Sequence, residues 1–263
     1  MIDSHCHLNF DSLSINIDTI IDNAITNNIK SILSINTNPA DFEHHYKIIK
    51  KFKSIFISYG LHPEHVSDKN IINSNEIITN CSKDLVIGIG ETGLDFYHSI
   101  EFKKEQYDVF EKHIEASYTT NLPLIIHQRN SENEIIEFLN KFQKTKPLNL
   151  VFHCFTGSDK LKKFCLDNNF YISLSGIITF KNAEQLRNVI KDVPLSSILI
   201  ETDSPFLAPV PFRGKTNEPS YVKFIGEYLS SFYNITVDQI SKTTDDNFYK
   251  LFSKAIRYNE IST

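Results

Sequence analysis

The chain has 263 residues, a length that accommodates one large domain or two small ones. Hydrophobic residues make up 41%, aromatics 12% and charged residues 22%, which excludes wholesale disorder and collagen-like repetition and predicts a sizeable buried core. A formal net charge of -5 excludes a blanket basic surface, so any contact with nucleic acid must be local, through bound cations or a few basic side chains.

The opening residues show neither a basic segment nor an apolar run of secretory type, and no stretch approaches the roughly 18 apolar residues of a spanning helix. A cytoplasmic protein without membrane association is expected. Cys6, Cys81, Cys154 and Cys165 are far apart and form no C-x-x-C pair. They are expected to be reduced structural thiols, neither a disulfide framework nor a zinc knuckle.

Short apolar runs rich in β-branched residues cover 1–7, 30–36, 55–62, 85–91, 122–127, 148–153, 170–176 and 198–203. Most are nearly continuous, which predicts strands buried on both faces of a parallel sheet. Amphipathic segments lie between them. In the first, Ile17, Ile20, Ile21, Ala24 and Ile25 recur at helical spacing with Asp18 and Asp22 on the other side. Further helices are predicted over 39–53, 70–80, 101–118, 131–144, 158–168 and 181–191, and the tail adds 219–232 and 236–257. Eight strand–helix alternations predict an α/β fold, a (β/α)8 TIM barrel forming a single domain over 1–263. A doubly wound open sheet is the alternative, but Asn9, Phe10 and Asp11 follow the first run where that fold places a glycine-rich phosphate loop.

The polar residues concentrate at the ends of the runs. His5 and His7 are two apart on an extended strand and share a face, with Cys6 opposite. Glu91, His127, His153 and Asp203 close the fourth, fifth, sixth and eighth runs. In a barrel the C-terminal rim is where catalytic residues assemble. Taken singly, each histidine also reads as a hydrogen-bonded core residue, and each acid as a helix cap. Converging on one rim, four imidazoles and two carboxylates make a metal site, with ligand types that suit several divalent ions. Six ligands exceed the needs of one catalytic ion. The expected arrangement is two ions, with His5, His7 and Asp203 on one, His127 and His153 on the other, and Glu91 shared. Asp203 is also expected to orient the nucleophilic water or take its proton.

These residues and their neighbours carry a family resemblance. The stretches IDSHCHLNF (2–10), GLHPE (60–64), GIGETGLDFY (88–97), PLIIHQRNSENE (123–134), HCFTGS (153–158), ETDSPFLAP (201–209) and RGKTNEP (213–219) resemble the TatD family of metal-dependent deoxyribonucleases. The resemblance implies an amidohydrolase-like barrel, a divalent-metal site occupied by Mg, Mn or Zn, and hydrolysis of DNA, often as a 3′-to-5′ exonuclease on single strands or 3′ ends. It places metal ligands on His5, His7, Glu91, His127, His153 and Asp203. A departure follows His127: relatives commonly continue H-x-R with an acid, and this chain has Asn130 there.

Beyond the ring, His62 is held extended by Pro63; it either contacts a phosphate oxygen, donates a proton to the leaving group, or hydrogen-bonds a loop. Arg129 either reaches a substrate phosphate or pairs with a nearby carboxylate. Arg213 and Lys215 are either further phosphate contacts or solvated loop charges. Glu201 alternates with Asp203 and reads as a carboxylate that orients a ligand imidazole or as a structural acid. Phe206 and Phe212 either stack on a base or pack in the core, and are read as core; His44, His45, His65, His98 and His113 are read as mostly solvated, and Gly90 and Gly93 as giving the backbone a tight path beside Glu91. The leading expectation is a monomeric phosphodiesterase acting on DNA. A metal-assisted hydrolase of amides, esters or lactones and a non-catalytic binding barrel are the alternatives.

Overall fold

The computed structural model describes residues 1–97 and 99–256. Eight strands follow one another in spatial order, β1 Ile2–Cys6, β2 Ser31–Ser34, β3 Ile55–Tyr59, β4 Val86–Asp95, β5 Leu124–Arg129, β6 Leu150–Phe152, β7 Tyr171–Leu174 and β8 Ile198–Ile200. Every neighbouring pair is parallel. Helices alternate with them: α1 Asp11–Ser14, α2 Ile17–Thr26, α3 Phe42–Ile49, α4 Ser74–Cys81, α5 Lys103–Thr120, α6 Glu132–Gln143, α7 Asp159–Asp167, α8 Glu184–Ile190, α9 Val222–Tyr233 and α10 Val237–Leu251. The fold is the (β/α)8 barrel expected from the alternation of runs.

Near-closure uses side chains as well as backbone. Along the seam between β1 and the segment after β8, the Asp203 amide donates to His5 O at 2.9 Å and the His7 amide to Ser204 O at 2.7 Å. Below them the buried Asp3 carboxylate accepts from the Thr202 amide at 2.8 Å and the Thr202 hydroxyl at 2.6 Å. Asp3 thus does the work of a ladder hydrogen bond, and the first aspartate of the D-S-H-C-H run is structural.

Two apolar layers hold the barrel. The larger packs the outer faces of the strands against the helices. The smaller is interior: Ile2, Leu33, Phe56, Ile87, Ile125, Val151, Tyr171 and Leu199 supply one residue from each strand. Some neighbours in this layer are register partners: Leu33 with Phe56, Ile125 with Val151 and Val151 with Tyr171. Phe248, Leu251, Phe252 and Ala255, from α10 and the turn after it, fill the same layer and close the N-terminal end. A capping box, Thr236 with Gln239, starts α10. Its predicted end at 257 falls one residue outside the described residues.

Strict alternation is broken where the site begins. Ile2 belongs to the interior layer and Cys6 to the outer one, and the register shifts between Asp3 and Cys6. In β4 Ile87 faces inward and Ile89 outward, with a further shift between Ile89 and Thr92. An irregularity of this kind re-aims side chains. It lets the same strand give an aliphatic group to the interior and His5 or Glu91 to the rim. Gly90 and Gly93 have φ near +139° and +138°, and a Cβ at either would meet Ile125 O at 2.6 Å or His127 O at 2.1 Å. Only glycine brings β4 this close to β5.

Candidate metal centre

Glu91 is the hub. It is 2% exposed, and its two oxygens meet four imidazoles. Oε1 lies 2.7 Å from His153 Nε2, 2.9 Å from His127 Nδ1 and 3.2 Å from His62 Nε2, and Oε2 lies 3.4 Å from His5 Nε2. Asp203 holds the other side, with Oδ1 3.3 Å from His7 Nε2 and 3.6 Å from His5 Nε2. The rings of His5 and His153 stack at 4.0 Å. All six residues expected at the rim therefore converge, and His62 joins them.

Their placement differs in detail from the run ends. Glu91 lies within β4, which continues to Asp95. His7 and His153 follow the last residues of β1 and β6, and Asp203 is in a turn beyond β8 with φ 56°. The apolar run ends at Glu91, whereas the strand continues through Thr92, Gly93 and Leu94 to Asp95.

Asp95 lies beyond the end of the apolar run. Its Oδ2 lies 2.8 Å from His127 Nε2, and its backbone is fixed by Gln106, whose amide group both donates to and accepts from it. With Nε2 committed to Asp95, Nδ1 is the nitrogen of His127 that faces the centre. His153 presents Nε2 instead, and its Nδ1 is 3.4 Å from Glu201 Oε1, which also accepts from the Cys154 amide at 2.7 Å. Glu201 is thus the carboxylate nearest the outer nitrogen of His153, and Asp95 hydrogen-bonds the outer nitrogen of His127, the positions from which a carboxylate orients a ligand imidazole. The detectable signal for Asp95 was its spacing, four residues beyond Glu91 on an extended strand.

Several second-tier residues also fall differently from expectation. His45 and His113 are fully buried. His113 Nδ1 donates to Val109 O at 2.7 Å while Nε2 accepts the Leu61 amide at 3.1 Å, which fixes the backbone next to His62. Burial lowers the His113 pKa to about 4. His45 bonds the Ser34 hydroxyl, and burial pulls its pKa to about 3. His98 lies outside the described residues. Phe206 is 48% exposed, not core, because its loop carries it to the mouth of the site. Arg129 lines the cavity with its guanidinium over Tyr97 at 3.6 Å. Arg213 is exposed, stacked on Phe180 at 3.6 Å and donating to Ala208 O, and Lys215 lies over Phe212; neither lines that cavity. Asn130 is an exposed residue with φ 51°.

The electrostatics are those of a site built for positive charge. Burial pushes the Glu91 carboxyl up, and the imidazoles of His153, His62 and His127 overcome it and hold the group well below the carboxylate range. Burial likewise opposes ionisation of Asp203, and His7 and His5 outweigh it. His5 Nε2 belongs to a residue 1% exposed and has no hydrogen-bond partner, a cost that bound cations remove. Ligand atoms on one tetrahedral ion with bonds of about 2.1 Å stand roughly 3.4 Å apart, close to the spacings among His5, His7, Glu91 and Asp203. Mixed nitrogen and carboxylate donors with no thiolate complete the fit to a divalent ion.

The cavity above Glu91 has a volume of about 360 Å³ and is lined by Phe10, Thr37, His62, Glu64, His65, Arg129 and Phe206 together with His7, Glu91, His127, His153 and Asp203 of the ring. A larger surface groove between α7 and α8 holds none of these residues. A barrel with this ring at its C-terminal rim belongs to the class of metal-dependent hydrolases.

Comparison with known proteins makes the assignment specific. The family model described as TatD related DNase matches residues 2–253, and the chain belongs to the TatD family. It is 40% identical to an uncharacterized metal-dependent hydrolase of Buchnera aphidicola, across 96% of this chain and 99% of that protein. It is 26% identical to the 3′-5′ ssDNA/RNA exonuclease TatD of Salmonella typhimurium, across 89% and 92%. The crystal structure of the TatD homolog YjjV from Escherichia coli superposes with a TM-score of 0.87 at 24% identity, covering 96% of this chain and 98% of the other. Among the described residues no helix is long and apolar enough to cross a membrane.

Proposed function

We propose that this chain hydrolyses phosphodiester bonds of DNA, acting on single-stranded 3′ ends, at a site that takes two divalent cations. The observation that carries the reading is the position of Glu91 between two groups of imidazoles, with Asp203 facing it across His5. His5, His7 and Asp203 would hold one cation, His127 and His153 the other, and Glu91 both. When bound, such a pair polarises the phosphoryl oxygen and lowers the pKa of water.

The protein's own groups do the rest. Asp203, already anchored through its amide to His5 O, orients the attacking water and takes its proton. Water oxygen forms the new P–O bond as the P–O bond to the sugar breaks. His62 Nδ1 accepts the Glu64 amide at 3.1 Å, so its neutral ring carries the proton on Nε2, directed to the floor of the cavity. That proton goes to a phosphate oxygen as a hydrogen bond or to the departing oxygen. Arg129 receives the phosphate bidentately, and Arg213 with Lys215 guides a longer strand along the outer rim. The name of the Salmonella relative supports the substrate class.

The test is incubation of purified protein with end-labelled single-stranded DNA and Mg or Mn, with EDTA as control. Products shortened from the 3′ end that vanish with EDTA are expected. Absence of any DNA product together with metal-dependent hydrolysis of an amide, ester or lactone would replace this reading.

A further inference from the structure

The mouth of the cavity is aromatic on one side. Phe10 and Phe206 are 37% and 48% exposed, and their rings meet edge to face at 5.5 Å, with His7 5.4 Å from the first and 6.3 Å from the second. His65 gathers on the other side around His62, at 5.9 Å. Two half-exposed phenyl rings beside a polar centre leave apolar surface uncovered next to the place where the proposed chemistry occurs.

Phe206 is not a loose side chain on a mobile loop. Its amide donates to Asp203 O at 2.9 Å, so the ring and the ligand carboxylate share one turn. Its carbonyl accepts from Asn217 Nδ2 at 2.6 Å. Asn217 is fully buried, donates also to Thr202 O at 2.8 Å, and its amide reaches Pro205 O at 3.0 Å. The loop is pinned from inside, and the phenyl ring is presented to the cavity without further ordering. Preorganised exposure of this kind is what a binding group requires.

Resting on the phosphodiesterase reading, we infer that Phe10 and Phe206 form a shelf for the base of the nucleotide joined to the scissile phosphate. With the phosphate over Glu91 and Asp203, the attached sugar and base must leave through this mouth. A ring face accepts any base, which gives affinity without sequence preference. A paired base is already stacked and bonded within a duplex, so the shelf favours an unpaired end. Phe206 is thereby the specificity-determining residue for single strands, set by the same turn that sets Asp203.

The experiment compares two single-stranded oligodeoxynucleotides, one ending in thymidine and one ending in an abasic tetrahydrofuran residue. Stacking on an aromatic side chain is worth about 1–3 kcal/mol per base, so the wild type should favour thymidine by roughly 5- to 150-fold in kcat/KM. Binding in EDTA, read by fluorescence anisotropy, should show a preference of the same sense. Phe206→Ala should bring both ratios to within about twofold of unity, and Phe206→Trp should keep them; the ring is half exposed, so its removal leaves the core intact. An unchanged ratio in Phe206→Ala, or loss of the ratio in Phe206→Trp, would overturn the shelf while the phosphodiesterase reading stands. A wild type that cleaves neither oligonucleotide defeats that reading and the shelf with it.

Discussion

The two ends of the barrel are made by the same strands and obey different rules. At the N-terminal end, one aliphatic or aromatic residue from each strand packs into a single interior layer, and Phe248, Leu251, Phe252 and Ala255 seal it. A few residues further along, β1 and β4 shift register as they bring His5 and Glu91 to the rim. One end is dry, redundant and fixed by packing. The other concentrates buried carboxylates and imidazoles, the unpartnered His5 Nε2 among them, in an arrangement suited to cations. Stability and chemistry are separated along the strand axis, and variants should sort accordingly.

The largest effect is expected at the hub. Glu91→Ala should reduce turnover by at least about 10³-fold, since transition-state charge stabilisation worth several kcal/mol is lost. Its circular dichroism spectrum and cooperative melting should remain those of a folded barrel. A variant with near-normal turnover would remove Glu91 from the centre. At the opposite end, Phe252→Ala should destabilise by about 3–5 kcal/mol through the cavity it leaves, measured by urea denaturation. Specific activity of the surviving folded fraction should be unchanged, and a loss of kcat at full folding would blur the division between the ends.

His113 lies between these extremes, since it supports the loop that carries His62. Its folded pKa of about 4 lies below the ordinary 6.5, so the neutral form belongs to the folded state. Its contribution is complete above pH 6.5, falls as pH drops from 6.5 to 4 while only the unfolded chain takes up the proton, and is constant below that. The full loss is about 3 kcal/mol. The stability difference between wild type and His113→Gln should therefore shrink on acidification across that window, and a pH-independent difference would contradict the burial argument.

Smaller effects are expected around the ring. Asp95→Asn should weaken metal affinity or activity by about 10- to 100-fold, as loss of a carboxylate that orients a ligand imidazole does. Isothermal titration with Mn would measure it, and wild-type affinity would show that His127 needs no such support. Arg129→Ala should raise KM for DNA more than Arg213→Ala does, because only the first lines the cavity. Exposed charges of the second kind rarely exceed about 1 kcal/mol.

Much of this was legible because the barrel repeats one unit. Eight apolar runs identified the strands, and residues at or near their ends identified the ring, since period and position are local properties. What escaped was non-local. Asp95 lies past the end of the apolar run, on a stretch of β4 whose close approach to His127 at Gly93 only the packed sheet reveals. His45 and His113 looked like solvated histidines, and only the packing of α3 and α5 shows which polar atoms they serve. Phe206 looked like core because its exposure depends on Asn217, eleven residues away.

The central claim is that Glu91 joins two cation sites at the rim. Metal content per chain, measured by inductively coupled plasma mass spectrometry after Mn loading and desalting, tests it most directly when wild type and Glu91→Ala are compared. The account predicts about two ions per folded wild-type chain and a loss of tight occupancy in the variant. One ion or none in the wild type, or undiminished metal in Glu91→Ala, would contradict it.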